Sequence, residues 1–499
     1  MQTSAFPSPP AALWCALILP QMSLDLLKRG QQHDVGPLAV VADRQIVACN
    51  EPAAAMGVRP DMKVSAALAL CPLLKWRDRS PAGERAALAD IASWAGQFTS
   101  HIALQPPYVL LLEVGGSVRY FNGLGNLMRK VMEGLEALGF AGRFGVAPTP
   151  QGAVLLARSW LPTSDRAVID RTVLRERLLQ LPVCVLENSG GLRATLEGIG
   201  ADHLGDVVAL PRAGVNRRFG PELLDELDRA LGSKPDPRKM FTAPAKFETY
   251  IELAYPTANS EPLLFVCKRL FNQLEGFLSA RRAGVTRLVL TFKLDHHPEP
   301  AVMTLDLLRP SDEALHFTNL LKERLARKQL QAPAERITLQ VGEVVPLYER
   351  ALSLLPDDPQ QQGEALPKLL ERLCARMGAQ AVRGLRAVPD HRPECATVTT
   401  ELQDGGPGRR THSGEATLPS PRPFWLLTTP QPLREVQSVP QYGGPLKLLA
   451  GPERIESGWW DGADARRDYF VAETVEQSQV WVFRERRQPG GWFLHGLFA

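Results

Sequence analysis

This 499-residue sequence has no long apolar run. The stretch from Ala11 to Leu19 is too short to cross a membrane and has no basic residue before it, so it is read neither as a span nor as a leader peptide. Neither sign of charge is in marked excess: 57 Lys and Arg against 54 Asp and Glu leave a formal net charge of +3. That balance permits nucleic-acid contact but confines it to local patches. No two of the seven cysteines are spaced as CxxC. This argues against structural zinc and a disulfide framework, and for a reducing, cytoplasmic setting. His391 and His495 have no ligand partner at useful spacing, so no metal or other cofactor is expected. No internal repeat is visible, which sets solenoids and propellers aside.

What is present is ordinary for a globular chain: 44% hydrophobic and 22% charged residues, in a length sufficient for several cores. Residues 13–19 are apolar throughout, as in a strand buried on both faces. Helical periodicity follows at 23–29, and a strand pair at 37–41 and 45–49. A short helix at 52–56 stops at Gly57. Helices are expected at 81–98, 124–138 and 152–159, and strands at 102–104, 109–114 and 143–147. From 186 to 232 the chain turns to short helices punctuated by glycine. Residues 241–347 return to strands and amphipathic helices. A flexible linker is expected at 356–364 and a disordered loop at about 398–422. The last fifty residues alternate aromatics as in a small sheet. The expected fold class is a multidomain α+β protein.

This order of segments resembles the Y-family DNA polymerases, and most of all the ImuB group of polymerase-like proteins from bacterial mutagenesis cassettes. The resemblance rests on residues 39–62 (AVVADRQIVACNEPAAAMGVRPDM), 110–123 (LLLEVGGSVRYFNG), 144–158 (FGVAPTPQGAVLLAR), 451–473 (GPERIESGWWDGADARRDYFVAE) and 490–499 (GGWFLHGLFA). It implies palm and fingers over 12–185, a helix-hairpin-helix thumb over 186–233, a little finger over 241–347, and a partner-binding extension over 348–499 with a small β-rich region.

Nucleotidyl transfer in that family needs two metal ions held by carboxylate oxygens. The matching positions are Pro20 at the end of the first strand, and Tyr108 and Val109 at the start of the following hairpin. None offers a side-chain carboxylate. The triphosphate clamp is degenerate as well: Glu51 and Ala54 stand at the fingers Tyr and Arg, and Leu161 at a palm lysine. Glu51 would repel a triphosphate. Asp25 and Glu113 are the nearest carboxylates, and a metal site relocated onto them is the enzyme alternative.

The features suited to binding survive. Gly198, Ile199 and Gly200 form a hairpin whose amides could face a phosphate, with Arg212, Arg217 and Arg218 just beyond it. A helix-packing corner is the plainer reading of the same glycines. In the little finger, Lys246, Lys268, Arg269, Arg281, Arg282, Arg287 and Lys293 are basic candidates, nearly balanced by acids. Ala351, Leu352, Ser353, Leu354 and Leu355 are similar to a sliding-clamp peptide in which Ala351 replaces glutamine and Leu355 replaces phenylalanine; an ordinary turn is the alternative. Trp481, Phe483, Trp492 and Phe493 suit a small β core, whereas Trp459 and Trp460 read as an exposed pair. The resemblance implies a non-catalytic DNA-binding adaptor in damage-induced mutagenesis and translesion synthesis. It would link primer-template DNA and the sliding clamp to an error-prone replicative-type polymerase and a RecA-like accessory protein, ImuA.

Overall fold

The computed structural model describes residues 12–31, 36–186, 191–327, 329–347, 359–402 and 422–498. The chain divides into two compact units, one ending at Arg376 and one beginning at Met377. The fold is mixed α+β, with a further sheet region in the second unit.

The first unit opens with β1 (Trp14–Ile18), α1 (Met22–Lys28), β2 (Leu38–Ala42), β3 (Gln45–Cys49), α2 (Glu51–Ala55), α3 (Val64–Leu70) and β4 (Lys75–Asp78). It continues with α4 (Pro81–Ala95), β5 (Ile102–Gln105), β6 (Val109–Glu113), α5 (Leu124–Ala137), β7 (Arg143–Ala147), α6 (Pro150–Arg158) and α7 (Arg171–Leu179). One sheet runs in the order β5-β6-β1-β7. Cys15, Leu17, Leu110 and Leu112 pack on Leu88 and Ile91 of α4 and on Leu127, Val131 and Leu135 of α5. Ala16, Ile18, Val109 and Leu111 face the other way and meet α6. Both faces of β1 are thus covered, which is why its sequence is apolar at every position. Each such Leu or Ile contributes roughly 2 kcal/mol of burial.

A second sheet runs β3-β2-β4, with β4 parallel to β2. Between β3 and β4 lies α2, capped by Asn50, whose Oδ1 accepts the Ala53 N–H at 3.2 Å. The helix stops at Gly57, whose φ of +91° disfavours any residue with a Cβ.

Four short helices come next: α8 (Leu192–Gly198), α9 (Leu204–Ala209), α10 (Arg212–Phe219) and α11 (Pro221–Leu231). Leu196, Leu204, Val207, Val215, Leu223 and Leu227 join the α6 side of the core.

Then β8 (Glu248–Thr257), α12 (Ser260–Ser279), β9 (Ala283–Leu294), β10 (Ala301–Ser311), α13 (Ala314–Arg327), β11 (Ala334–Val341) and β12 (Val344–Pro346) form a sheet ordered β10-β9-β11-β8, with β12 on β9. Its apolar face packs on α12 and α13. Helix α12 in turn lies against α4. Trp94 of α4 fills the space between Gly134 of α5 and Gly276 of α12, where a Cβ at either glycine would overlap the indole. Beside it, the Thr249 hydroxyl donates to the Asp90 carboxylate at 2.7 Å.

Helix α14 (Pro359–Met377) closes the first unit. Residues 356–358 lie outside the described residues, but 359–364 are its opening turns and not a flexible linker. Composition misled here because the apolar side of the helix begins only after its polar start. The buried Glu371 accepts the Leu308 N–H at 2.6 Å and pairs with His316 at 2.6 Å.

The second unit contains the hairpin β13 (Gly384–Ala387) and β14 (Thr397–Thr400). It also holds β15 (Trp425–Val436), β16 (Val439–Gln441), β17 (Lys447–Ser457), β18 (Ala465–Glu473), β19 (Gln479–Glu485) and β20 (Gly491–Leu497). These six strands are ordered β16-β15-β20-β19-β18-β17. Of the loop expected at 398–422, residues 398–400 belong to β14 and 403–421 lie outside the described residues. Trp481, Phe483 and Trp492 are buried. Tyr469 stacks on Trp481 with ring centroids 4.1 Å apart. His495 is not isolated: its Nδ1 lies 2.8 Å from the Tyr469 hydroxyl. Trp459 and Trp460 are exposed. Their loop is anchored by Arg392, which donates to both oxygens of Asp461 at 3.0 and 2.6 Å.

Candidate nucleic-acid interface

The end of β1 and the start of β6 meet. Ile18 lies opposite Val109, and the Leu19 N–H donates to the Tyr108 carbonyl at 2.9 Å. The structure therefore brings Pro20, Tyr108 and Val109 together at one end of the central strands of the β5-β6-β1-β7 sheet. Pro20 is exposed, Val109 is buried, and the half-buried Tyr108 packs against both apolar clusters.

The two alternative carboxylates are not at that end as a pair. Glu113 faces Trp14 at the far end of the β1–β6 ladder. Four residues of strand put it about 14 Å from Val109. Its Oε1 accepts the Leu13 and Gly115 N–H groups at 3.1 and 3.0 Å. Asp25 is buried in α1 and accepts the Ala141 N–H at 3.0 Å. Burial raises its pKa to about 6. Among the described residues, no group of three or more His, Cys, Asp or Glu side chains could hold a metal.

Glu51 and Ala54 sit on α2, away from that end of the sheet in sequence and in a separate sheet layer. Glu51 occupies the first turn, where its charge complements the helix N-terminus. Leu161 follows α6 and packs on the apolar cluster beneath it.

The thumb hairpin departs from the sequence expectation in one respect. The Ile199 and Gly200 N–H groups donate to the Leu196 and Glu197 carbonyls, both at 3.1 Å, and so close α8. They are not aimed outward as phosphate donors. Gly200 is required by its φ of +77°. A Cβ at Gly198 or Gly200 would meet open space, so a strand could approach the backbone closely there.

The three thumb arginines also separate. Arg212 is bound to Asp228 by two hydrogen bonds of 3.1 and 2.6 Å. Arg217 and Arg218, in the last turn of α10, are exposed. Arg218 lies 5.8 Å from the Phe219 ring centroid, and neither makes an ion pair among the described residues.

The little-finger bases divide the same way. Arg287 pairs with Asp306 and Lys293 with Glu335. Arg269 donates to the Arg29 carbonyl, and Arg281 to the Pro244 and Phe277 carbonyls. Lys246, Lys268 and Arg282 remain exposed. Of the seven, Arg287 and Lys293 are held by acids and Arg269 and Arg281 by backbone carbonyls among the described residues.

Sequence reasoning missed a basic and aromatic group beside Pro20. Arg143 begins β7 directly opposite Ile18. Its guanidinium lies 4.4 Å from the Trp160 ring centroid, and Trp160 is 83% exposed. Arg166 approaches the same strand, where Val168 donates to the Val146 carbonyl at 2.9 Å. The signal available was the run Trp160-Leu161 after a helix, and it carries no charge.

The clamp-like peptide Ala351 to Leu355 lies outside the described residues. No helix among the described residues is long and apolar enough to cross a membrane.

Comparison with known proteins agrees with the resemblance read from the sequence. Residues 27–158 match the impB/mucB/samB family model. The chain is 28% identical over 470 residues to Protein ImuB of Caulobacter vibrioides strain NA1000 / CB15N, covering 89% of this chain and 100% of the relative. The figures are the same for strain ATCC 19089 / CIP 103742 / CB 15. Among solved structures, an insertion ternary complex of Dbh DNA polymerase is similar at a TM-score of 0.39 and 16% identity. DinB from Sulfolobus solfataricus is similar at 0.36 and 18%. Each covers 67% of this chain over its own full length.

Proposed function

We propose that the chain is a non-catalytic, polymerase-like adaptor in damage-induced mutagenesis and translesion synthesis. In this reading it holds primer-template DNA through backbone contacts and works beside the sliding clamp. It brings in an error-prone replicative-type polymerase and a RecA-like accessory protein, as the likeness to ImuB suggests. The observation that carries the reading is the end of the sheet at Pro20, Tyr108 and Val109. Ile18 pairs with Val109 there, and none of the three side chains is a carboxylate of the kind that two-metal nucleotidyl transfer needs. Glu113 is tied to two backbone amides at the opposite end of its strand. That position gives no support to a relocated metal site.

DNA holding would fall to the thumb, through the exposed Arg217 and Arg218 and the open backbone at Gly198 and Gly200. Arg212 would act indirectly, by holding α10 to α11. Contacts of this kind position a duplex without reading its bases.

Fluorescence anisotropy with a labelled primer-template across a salt series tests the reading. Binding with a log–log salt slope is the expected result. Absence of binding at low salt would overturn it. Co-purification with the sliding clamp, compared with a chain lacking 351–355, tests the clamp contact; equal recovery of clamp by both would remove that segment from the proposal.

A further inference from the structure

We propose that Arg143, Arg166 and Trp160 form a nucleotide-binding patch at the edge of the palm sheet, taking a phosphate on the two guanidiniums and an unpaired base on the free face of the indole. The nucleotide is assigned to a single-stranded stretch of DNA, and that assignment rests on the DNA-binding reading above.

Three independent features meet here. The first is unmet donor capacity. Arg143 Nη1 and Arg166 Nε and Nη1 are enclosed without a hydrogen-bond acceptor among the described residues. Among the described residues, the acceptor of Arg166 is the Thr163 hydroxyl, which Nη2 reaches at 2.9 Å. An enclosed guanidinium nitrogen without an acceptor is unfavourable; both side chains are only half-buried, so a rotamer change can turn these donors to a phosphate oxygen, a strong, charge-assisted acceptor.

The second is the local charge. The nearby acid Asp165 faces Arg177, at 3.6 Å. Burial, and then the neighbouring Arg143, lower the Arg166 pKa. Two cations that repel one another in a partly desolvated place are relieved by a shared anion.

The third is the aromatic plane. Arg143 covers one side of Trp160 at 4.4 Å, and the ring is otherwise 83% exposed. An exposed indole beside phosphate-binding cations suits a base splayed out of a single strand. A base within a duplex is already stacked and does not present its face. Placement adds to this. Ile18 lies opposite Arg143 on one side and Val109 on the other. The patch therefore flanks the end where Pro20 and Tyr108 stand.

The experiment uses the full chain and three probes: a labelled oligo-dT, a blunt duplex of equal length, and dATP without added metal. For Arg143→Gln with Arg166→Gln, oligo-dT binding should weaken about tenfold or more, and the salt slope should fall by about 1 to 2. Trp160→Ala should weaken oligo-dT binding at least fivefold, in the range of one base–aromatic stack. Duplex binding should stay within about twofold for both variants. Arg143→Lys with Arg166→Lys should recover most of the loss, which separates a lost charge from a damaged fold.

If oligo-dT and duplex bind the wild type and the Gln variant equally, the patch is overturned while the DNA-binding reading stands. If no DNA binds but dATP binds and is lost in the Gln variant, the patch holds a free nucleotide and the DNA assignment fails. If none of the three probes binds, both proposals fall.

Discussion

The Leu19 N–H donates to the Tyr108 carbonyl at 2.9 Å, and this bond holds Pro20 beside the start of β6. None of Pro20, Tyr108 and Val109 offers a side-chain carboxylate there, and the proposed adaptor reading rests on that. Purified protein is expected to give no template-directed primer extension with magnesium or manganese, and Glu113→Ala is expected to leave that unchanged. Extension that disappears in Glu113→Ala would refute the adaptor reading.

The thumb arginines should separate by assay. Arg217→Ala with Arg218→Ala should weaken primer-template binding and lower the salt slope by about 1 to 2, leaving the melting temperature unchanged. Arg212→Ala should do the reverse, slightly lowering the melting temperature through the lost Asp228 pair, with a smaller effect on the salt slope. Equal effects on binding from all three positions would contradict the division seen in α10.

Asp25 supplies a pH-dependent test. Its pKa is raised from 3.8 to about 6, chiefly by burial. The folded state therefore holds this proton more tightly than the unfolded chain. Its favourable contribution is full below pH 3.8 and is lost as pH rises through 6. Asp25→Asn keeps an acceptor for the Ala141 N–H and removes the buried charge. It should stabilise the protein at pH 7 by about 2 kcal/mol, with the difference closing near pH 4. Denaturant titrations at both pH values decide it.

His495 behaves oppositely. Burial lowers its pKa from 6.5 to about 4. Its neutral form is favoured by folding, so its contribution is present above pH 6.5 and is lost as pH falls through 4. The second unit should lose stability over that interval. Tryptophan emission during thermal melts reports the change. His495→Gln should flatten the pH dependence even if it lowers the melting temperature throughout.

Gly276→Ala should destabilise the first unit by about 1–3 kcal/mol, because the added methyl meets the Trp94 ring. A second substitution, Trp94→Phe, should recover part of the loss. An unchanged melting temperature in Gly276→Ala would mean that α4 and α12 are not packed as described.

The sequence made the ladder around β1 readable because a strand buried on both faces leaves an unbroken apolar run. It did not reveal β4, whose Lys-Trp-Arg-Asp run is exposed at every position and so carries no period. The positions Pro20, Tyr108 and Val109 come from the family resemblance, not from periodicity or register. Arg143 and Trp160 could not be placed together from the sequence, since they meet only through the pairing of β7 with β1 and the turn after α6. The pairing of Arg212 with Asp228 spans 16 residues and two helices. Charge counting saw a free base there because it has no term for where a side chain folds back. Helix α14 begins at Pro359, but its first six residues are polar, proline or glycine, which composition reads as a linker.

The indole of Trp94, seated between Gly134 and Gly276, has a mechanical consequence. Neither α5 nor α12 can slide past α4 without driving backbone into a rigid ring. The indole is thereby a key that sets the spacing of α5, α4 and α12 at one point.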